Sequence, residues 1–127
     1  SCNLIITTTA ATEPILFADD IQSGTHITAM GSDTPAKQEL DSNILGKADC
    51  VIADSISQCI ERGEISHAIK DGKLMKNNLV ELGHVLNGQH PGRTSQDQIT
   101  VADLTGVAVQ DIQIATAVYE SYMENES

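Results

Sequence analysis

His26-Ile27-Thr28-Ala29-Met30-Gly31-Ser32-Asp33 is a short apolar run that stops at a glycine and then presents an acid, with Thr34 and Pro35 directly behind it. A run of this length, bounded by turn residues, has the pattern of a buried strand. In an open parallel sheet the ligand crevice lies outside the carboxyl ends of the strands, so an acid placed there is a candidate for chemistry as well as for solubility. Asp33 is that acid.

Three more segments share this character: residues 2–8, the run Cys50-Val51-Ile52-Ala53 between Asp49 and Asp54, and residues 99–104, which end in Thr105-Gly106. The intervening segments carry helical signals. Residues 18–21 suggest a short turn or helix, broken at Ser23-Gly24. Asp33 resembles an N-cap ahead of Pro35, and Glu39, Leu40, Asp41, Ile44 and Leu45 predict a short helix ending at Gly46. Residues 57–60 and 64–69 predict two short helices interrupted at Gly63. Asp71-Gly72 marks a turn. Leu79, Val80, Leu82, Val85 and Leu86 recur at helical spacing up to Gly88, and residues 89–98 form an aperiodic loop. Val109, Ile112, Ala115, Thr116, Val118, Tyr119 and Tyr122 predict a last helix of about three to four turns. Strands alternating with helices give an α/β fold with a parallel sheet of about four strands.

Composition agrees with this class. The chain is 40% hydrophobic but only 2% aromatic, so its core is built from Ile, Val, Leu and Ala, the residues of parallel strands covered by helices. Its 127 residues suit one domain but are few for a complete two-substrate enzyme. A formal charge of -11 argues against nucleic acid or an anionic membrane surface as a partner. Cys2, Cys50 and Cys59 are odd in number and widely spaced, without a nearby histidine at ligand spacing. Neither a disulfide framework nor a metal site is expected, and a reducing cytoplasm suits them. No segment approaches the roughly 18 apolar residues of a membrane span. The chain opens inside a strand without a start methionine, so a fragment is expected. No Gly-x-Gly-x-x-Gly or Walker loop joins a strand to a helix, so no phosphate cradle is located.

Thr7-Thr8-Thr9, Glu13-Pro14-Ile15-Leu16, Gly24-Thr25-His26-Ile27 and the long stretch from Gly31-Ser32-Asp33-Thr34-Pro35 to Glu39-Leu40-Asp41 form a collinear set. Ala48-Asp49, Gly63-Glu64, Glu81-Leu82-Gly83, Gly92-Arg93, Ile99-Thr100-Val101 and Leu104-Thr105-Gly106-Val107-Ala108-Val109-Gln110-Asp111 continue it. This set resembles the ornithine cyclodeaminase and mu-crystallin family over nearly the whole chain. The resemblance implies that residues 1–127 are the C-terminal part of a nicotinamide-dinucleotide-binding Rossmann domain, a partial three-layer fold. Its last helix would lead back toward a dimerisation domain. It also implies NAD or NADP as cofactor, a small amino-acid or imino-acid substrate, a homodimer, and a missing N-terminal half that carries the glycine-rich loop and the residues clamping the substrate carboxylate.

By resemblance, Asp33 matches the family's active-site acid. A carboxylate near a nicotinamide can stabilise an iminium and relay a proton to or from water or amine. Thr7, Thr8 and Thr9 close the first strand where they can meet a dinucleotide, and Met30 and Gly31 are similarly placed, Gly31 allowing close backbone approach. Thr105 and Gly106 match the segment that approaches the nicotinamide. The family's Pro-Gly-Lys pattern is altered here, because Ala36 precedes Lys37, which implies a different local loop.

Other polar residues have structural readings. His26 shares a face with Thr28 and is expected to be half-buried and structural. His67, His84 and His90 have no partner visible in the sequence. Arg93 is a surface arginine, with anion placement as its alternative. Cys50 and Cys59 are core or helix-face thiols without a matched base. The expected activity is that of an amino-acid dehydrogenase, imine reductase or cyclodeaminase fragment acting through an imine. The alternative is a non-catalytic, mu-crystallin-like ligand-binding or structural protein.

Overall fold

The computed structural model describes residues 2–126. Strands β1 (Leu4–Thr7), β2 (His26–Ala29) and β3 (Cys50–Ala53) form where they are expected, because each is a short β-branched run ended by polar or turn residues. The segment after β2 departs from expectation. Residues 34–37 form a turn closed by the Lys37 N–H on the Thr34 carbonyl, and helix α1 (Ser42–Lys47) begins only at Ser42, with the Asp41 side chain accepting the Asn43 N–H as its N-cap. Asp33 therefore caps no helix, and Asp41 takes that role. Helices α2 (Ile56–Cys59) and α3 (Glu64–Lys70) are divided at Gly63, as the glycine predicts.

Residues 79–86, expected to be one helix, divide into strand β4 (Leu79–Glu81) and helix α4 (Leu82–Leu86). The spacing of Leu79, Leu82 and Leu86 only mimics a helical stripe across this junction. Pairing wins because the edge of β3 offers Leu79, Val80 and Glu81 a parallel ladder opposite Val51, Ile52 and Ala53. Strand β5 (Thr100–Asp103) and helix α5 (Ala108–Glu126) complete the chain, α5 having 19 residues instead of the shorter helix expected.

All five strands are parallel, in the order β1-β2-β5-β3-β4. The connections from β2 to β3 and from β3 to β4 move outward across the sheet through α1, α2 and α3. The connection from β4 to β5 moves back through α4. A right-handed crossover that reverses direction must pass over the opposite face, and packing agrees. Ile44, Leu45, Cys59, Ile65 and Ala68 pack with Ile27, Val51 and Val101 on one face. Leu82 and Val85 pack with Cys50, Ile52 and Ala102 on the other. Side chains alternate between faces along a strand, so these are the two sets that a helix–sheet–helix sandwich requires.

The second face is only partly covered. Leu4 and Ile6, which belong to it, remain 55% and 58% exposed at the edge strand β1. Helix α5 buries none of its large apolar residues, with Val109, Ile112, Ile114, Val118, Tyr119 and Tyr122 all exposed.

Candidate functional site

The register aligns Thr7, Ala29, Asp103, Ala53 and Glu81 as one row at the carboxyl ends of the five strands. The candidate catalytic and cofactor-binding residues lie in that row or just beyond it, on three neighbouring strands. Thr7, Thr8 and Thr9 form the tip of β1, Met30, Gly31 and Asp33 follow β2, and Thr105 and Gly106 follow β5. Adjacent strands lie about 4.8 Å apart, so one small ligand can reach all three tips. Thr105 and Asp33 are far apart in sequence, and only the insertion of β5 beside β2 brings the strand tips that they follow together.

Asp33 is exposed, and its Oδ1 accepts a 2.8 Å bond from Lys37 Nζ four residues on. That bond, reinforced by the Lys37 charge, holds the Asp33 carboxyl below its usual range despite a small opposing effect of burial. The turn between the two residues is fixed from beneath. Ser32, buried, donates its hydroxyl to the Lys37 carbonyl at 2.5 Å, and His67 Nε2 donates to the same oxygen at 2.8 Å. His67, which had no partner in the sequence reading, thus serves the loop that carries Asp33. An ionised carboxylate on a braced turn can stabilise a developing cation or accept a proton, and is poorly suited to donating one.

Met30 and Thr8 are exposed at their tips. Gly31 does permit close approach, but of the protein's own atoms: a β-carbon there would overlap the Thr9 carbonyl oxygen and stand 2.6 Å from Glu39 Oε1. Thr105 and Gly106 are held by the start of α2. Gln58 Nε2 donates to Thr105 Oγ1 at 2.8 Å and to the Gly106 carbonyl at 2.6 Å, while the Asp54 carboxylate accepts the Gly106 N–H at 2.8 Å. Gly106 has φ +84, and a β-carbon there would meet no atom within 4 Å, so space beside this tip is open to a ligand.

Beneath the tips lie buried acids that sequence reasoning passed over. Glu39 is 0% exposed, and its two oxygens accept from Thr7 Oγ1, Thr9 N, Thr9 Oγ1 and Gly31 N at 2.6 to 2.8 Å. Burial opposes its charge, but these hydrogen bonds outweigh burial and hold the carboxyl below its usual range. Glu64 accepts the N–H groups of Glu39 and Leu40 at 2.7 and 3.0 Å. Burial pushes its carboxyl up to about 7, with the Glu39 charge adding to the rise and the two N–H bonds opposing it. Asp103 Oδ2 accepts the Ile65 N–H at 2.8 Å, while Oδ1 is buried with no hydrogen-bond partner among the described residues. Burial pushes Asp103 up to about 8, the charges of Glu64 and Asp54 helping and the Ile65 N–H opposing. Gly63, at φ +90, makes room for this acid, since a β-carbon would stand 2.7 Å from Asp103 Oδ2 and 2.6 Å from Thr105 Cγ2.

A consequence for stability follows from Asp103. Its folded value lies above the ordinary 3.8, so the folded state holds a proton that the unfolded chain releases, and the stability so gained is lost as pH rises toward about 8. Asp103→Asn keeps an oxygen for the Ile65 N–H without a buried charge. Urea unfolding at pH 6 and pH 8 should show the unsubstituted protein losing roughly 2 kcal/mol more than the variant over that interval; equal losses would show that Asp103 does not titrate.

The remaining candidates lie away from the tips or in the core. His26, half-buried at the start of β2, bonds Thr100 Oγ1 at 2.7 Å and Thr28 Oγ1 at 3.1 Å. Burial and the Arg93 charge lower its pKa, which suits a neutral structural ring. Arg93 clasps the carbonyls of Gly24, Ser95 and Gln96 at the opposite end of the sheet, so it serves its own loop. Cys50 and Cys59 are buried, and burial above all pushes the Cys59 thiol up to about 12, the reverse of an activated thiolate. Among the described residues no group of three or more His, Cys, Asp or Glu side chains could hold a metal ion.

Residues 1–126 match the ornithine cyclodeaminase/mu-crystallin family. The chain belongs to that family. It is 40% identical over 121 residues to alanine dehydrogenase of Archaeoglobus fulgidus, covering 94% of this chain and 37% of that protein. An archaeal alanine dehydrogenase dimer with bound NAD superposes with a TM-score of 0.91 at 38% identity, over 99% of this chain and 39% of the other. The iminosuccinate reductase of Paracoccus denitrificans in complex with NAD+ gives a TM-score of 0.91 at 36% identity, over 97% and 38%. The chain thus spans under two-fifths of the length of these relatives. The fold is Rossmann-like, as the resemblance implied, with one strand more than the about four expected. No helix among the described residues is long and apolar enough to cross a membrane.

Proposed function

We propose that this chain is the C-terminal part of the nicotinamide-dinucleotide-binding domain of a cytoplasmic enzyme that acts on a small amino or imino acid through an imine, with Asp33 in its active site. The convergence of three parallel strand tips, one of them carrying an ionised acid, is the observation that supports this reading. NAD or NADP would lie along the tips, against Thr7, Thr8 and Thr9, then Met30 and Gly31, and finally Thr105 and Gly106. The hydroxyls of Thr7 and Thr9 are donated to Glu39, so toward a ribose they would act as acceptors. When bound, the dinucleotide supplies or takes up the hydride.

The carboxylate of Asp33 would then face the carbon–nitrogen bond that gains or loses the hydride. Its charge stabilises the iminium. As a base it takes a proton from the water or amine that attacks that carbon, water giving a keto acid and ammonia and an internal amine giving a ring. The pyrophosphate cradle and the clamp for the substrate carboxylate would come from the other part of the parent protein. The exposed stripe of α5 and the free edge of β1 are placed to join that part, and a homodimer is the expected assembly.

The test uses the full-length parent protein. Reduced nicotinamide dinucleotide should bind with a change in its fluorescence, and a panel of small amino acids with NAD or NADP should reveal turnover. Binding without turnover for any amino or imino acid would favour a non-catalytic ligand-binding protein. Absence of binding would overturn the reading.

A further inference from the structure

Beyond Thr7 and Ala29 the ladder between β1 and β2 ends with one more bond, from Met30 N to the Thr7 carbonyl at 2.9 Å. The next N–H groups of both strands, those of Thr9 and Gly31, are taken by Glu39. A carboxylate offers only acceptors, and here four donors converge on two oxygens.

Glu39 is itself anchored on three sides. Its N–H donates to Glu64 Oε1 at 2.7 Å, its carbonyl accepts from Ile15 N at 2.8 Å and Leu16 N at 3.2 Å, and the next residue, Leu40, is fully buried. The side chain therefore acts as a fixed post to which both strand tips are tied. Gly31 is the residue that allows the tie, since any β-carbon would collide with that post.

From this geometry we infer that Glu39 is a positioning residue for the dinucleotide: it ends the β1–β2 ladder and sets the backbone of Thr8, Thr9, Met30 and Gly31 on which the nucleotide rests. The inference builds on the function proposed above and adds a residue that need not touch any ligand. It accounts for an acid in a place where an apolar side chain would fill the core equally well. It also accounts for the pair of threonines at positions 7 and 9, which present hydroxyls to the same carboxylate.

Glu39→Gln tests it in the full-length protein. The amide keeps the volume but turns an NH2 toward N–H and O–H donors, so the tips lose half their acceptor. The dissociation constant for NADH, read by fluorescence titration of folded protein, should rise about tenfold or more. The KM for the dinucleotide should follow, while the KM for the amino acid changes little. Glu39→Asp keeps the charge but shortens its reach to the four donors and serves where Glu39→Gln folds poorly; it should raise the same constant about two- to fivefold. A purely structural acid would lower the melting temperature without moving either constant in the folded protein. Unchanged NADH binding in Glu39→Asp and in any folded Glu39→Gln, beside a wild type that binds, overturns the positioning role alone. A wild type that does not bind NADH overturns the functional reading and this inference with it.

Discussion

Asp33→Asn in the full-length protein should lower kcat for amino-acid oxidation or imine reduction by about 10²- to 10⁴-fold, with the dissociation constant for the dinucleotide within about twofold of wild type. The substitution keeps the shape of an exposed side chain and removes the charge. No core contact is lost with it, because Asp33 stands on an outer turn whose support comes from Ser32 and His67. Loss of kcat without loss of nucleotide affinity separates a group that acts on the substrate from one that shapes the cofactor site.

The pH profile carries a second part of this prediction. The bond from Lys37 and its charge hold Asp33 below the ordinary 3.8, so Asp33 stays charged until the pH falls below that range. Any acid limb due to Asp33 should therefore lie below about pH 4, and Lys37→Met should move it upward. Single-turnover rates in Asp33→Asn within threefold of wild type would remove Asp33 from the chemistry.

Gly31→Ala is expected to destabilise the protein by about 3 kcal/mol, because the added methyl overlaps backbone that cannot retreat. Its first obstacle is the Thr9 carbonyl oxygen and its second the Glu39 carboxylate, which is fully buried and bonded to four donors. Relief would require β1 and β2 to part at their tips, breaking the bonds to Glu39 that hold them. The urea midpoint should fall, and NADH binding by the protein that remains folded should weaken. An unfolding free energy within about 0.5 kcal/mol of wild type would mean that the tips are not tied as described. Such tolerance would also count against the role of Glu39.

Much of the architecture was legible in the amino acids. The runs 2–8, 26–30, 50–53 and 99–104 are short, β-branched and closed by polar or turn residues, and each contains a strand. Gly63 divided two helices, Asp71-Gly72 made a turn, and residues 89–98 made a loop. Over residues 79–86 the apolar spacing predicts one helix where the structure has a strand and a helix, because such spacing over eight residues is compatible with both states. A ladder with β3 decided it, and no local pattern announces a partner nearly thirty residues upstream. The cap at Asp33 failed for a related reason: the turn held by Lys37, Ser32 and His67 delays the helix to Ser42, where Asp41 supplies the cap.

The site divides in the same way. Asp33, the threonines and Thr105-Gly106 could be placed at strand ends from the sequence, since each follows its run directly. Glu39, Glu64, Asp103 and Asp54 could not be singled out, because in a chain with 18 acidic residues most acids lie on solvated faces. Their roles depend on backbone N–H groups as far as 52 residues away. The one local hint was the alternation of Thr7 and Thr9, two hydroxyls on one side of a strand end.

Sequence by itself determined four of the five strands, the parallel α/β class and the acid that follows β2, because these depend on short-range pattern and chain direction. Tertiary structure alone decided that β5 enters between β2 and β3, and so sets the tip that ends in Thr105 and Gly106 next to the tip of β2. Tertiary structure also decided which carboxylates are buried and what they hold. Strand order and buried hydrogen bonds are set by long-range pairing, in which the free energy of a contact depends on a partner that local propensity cannot name.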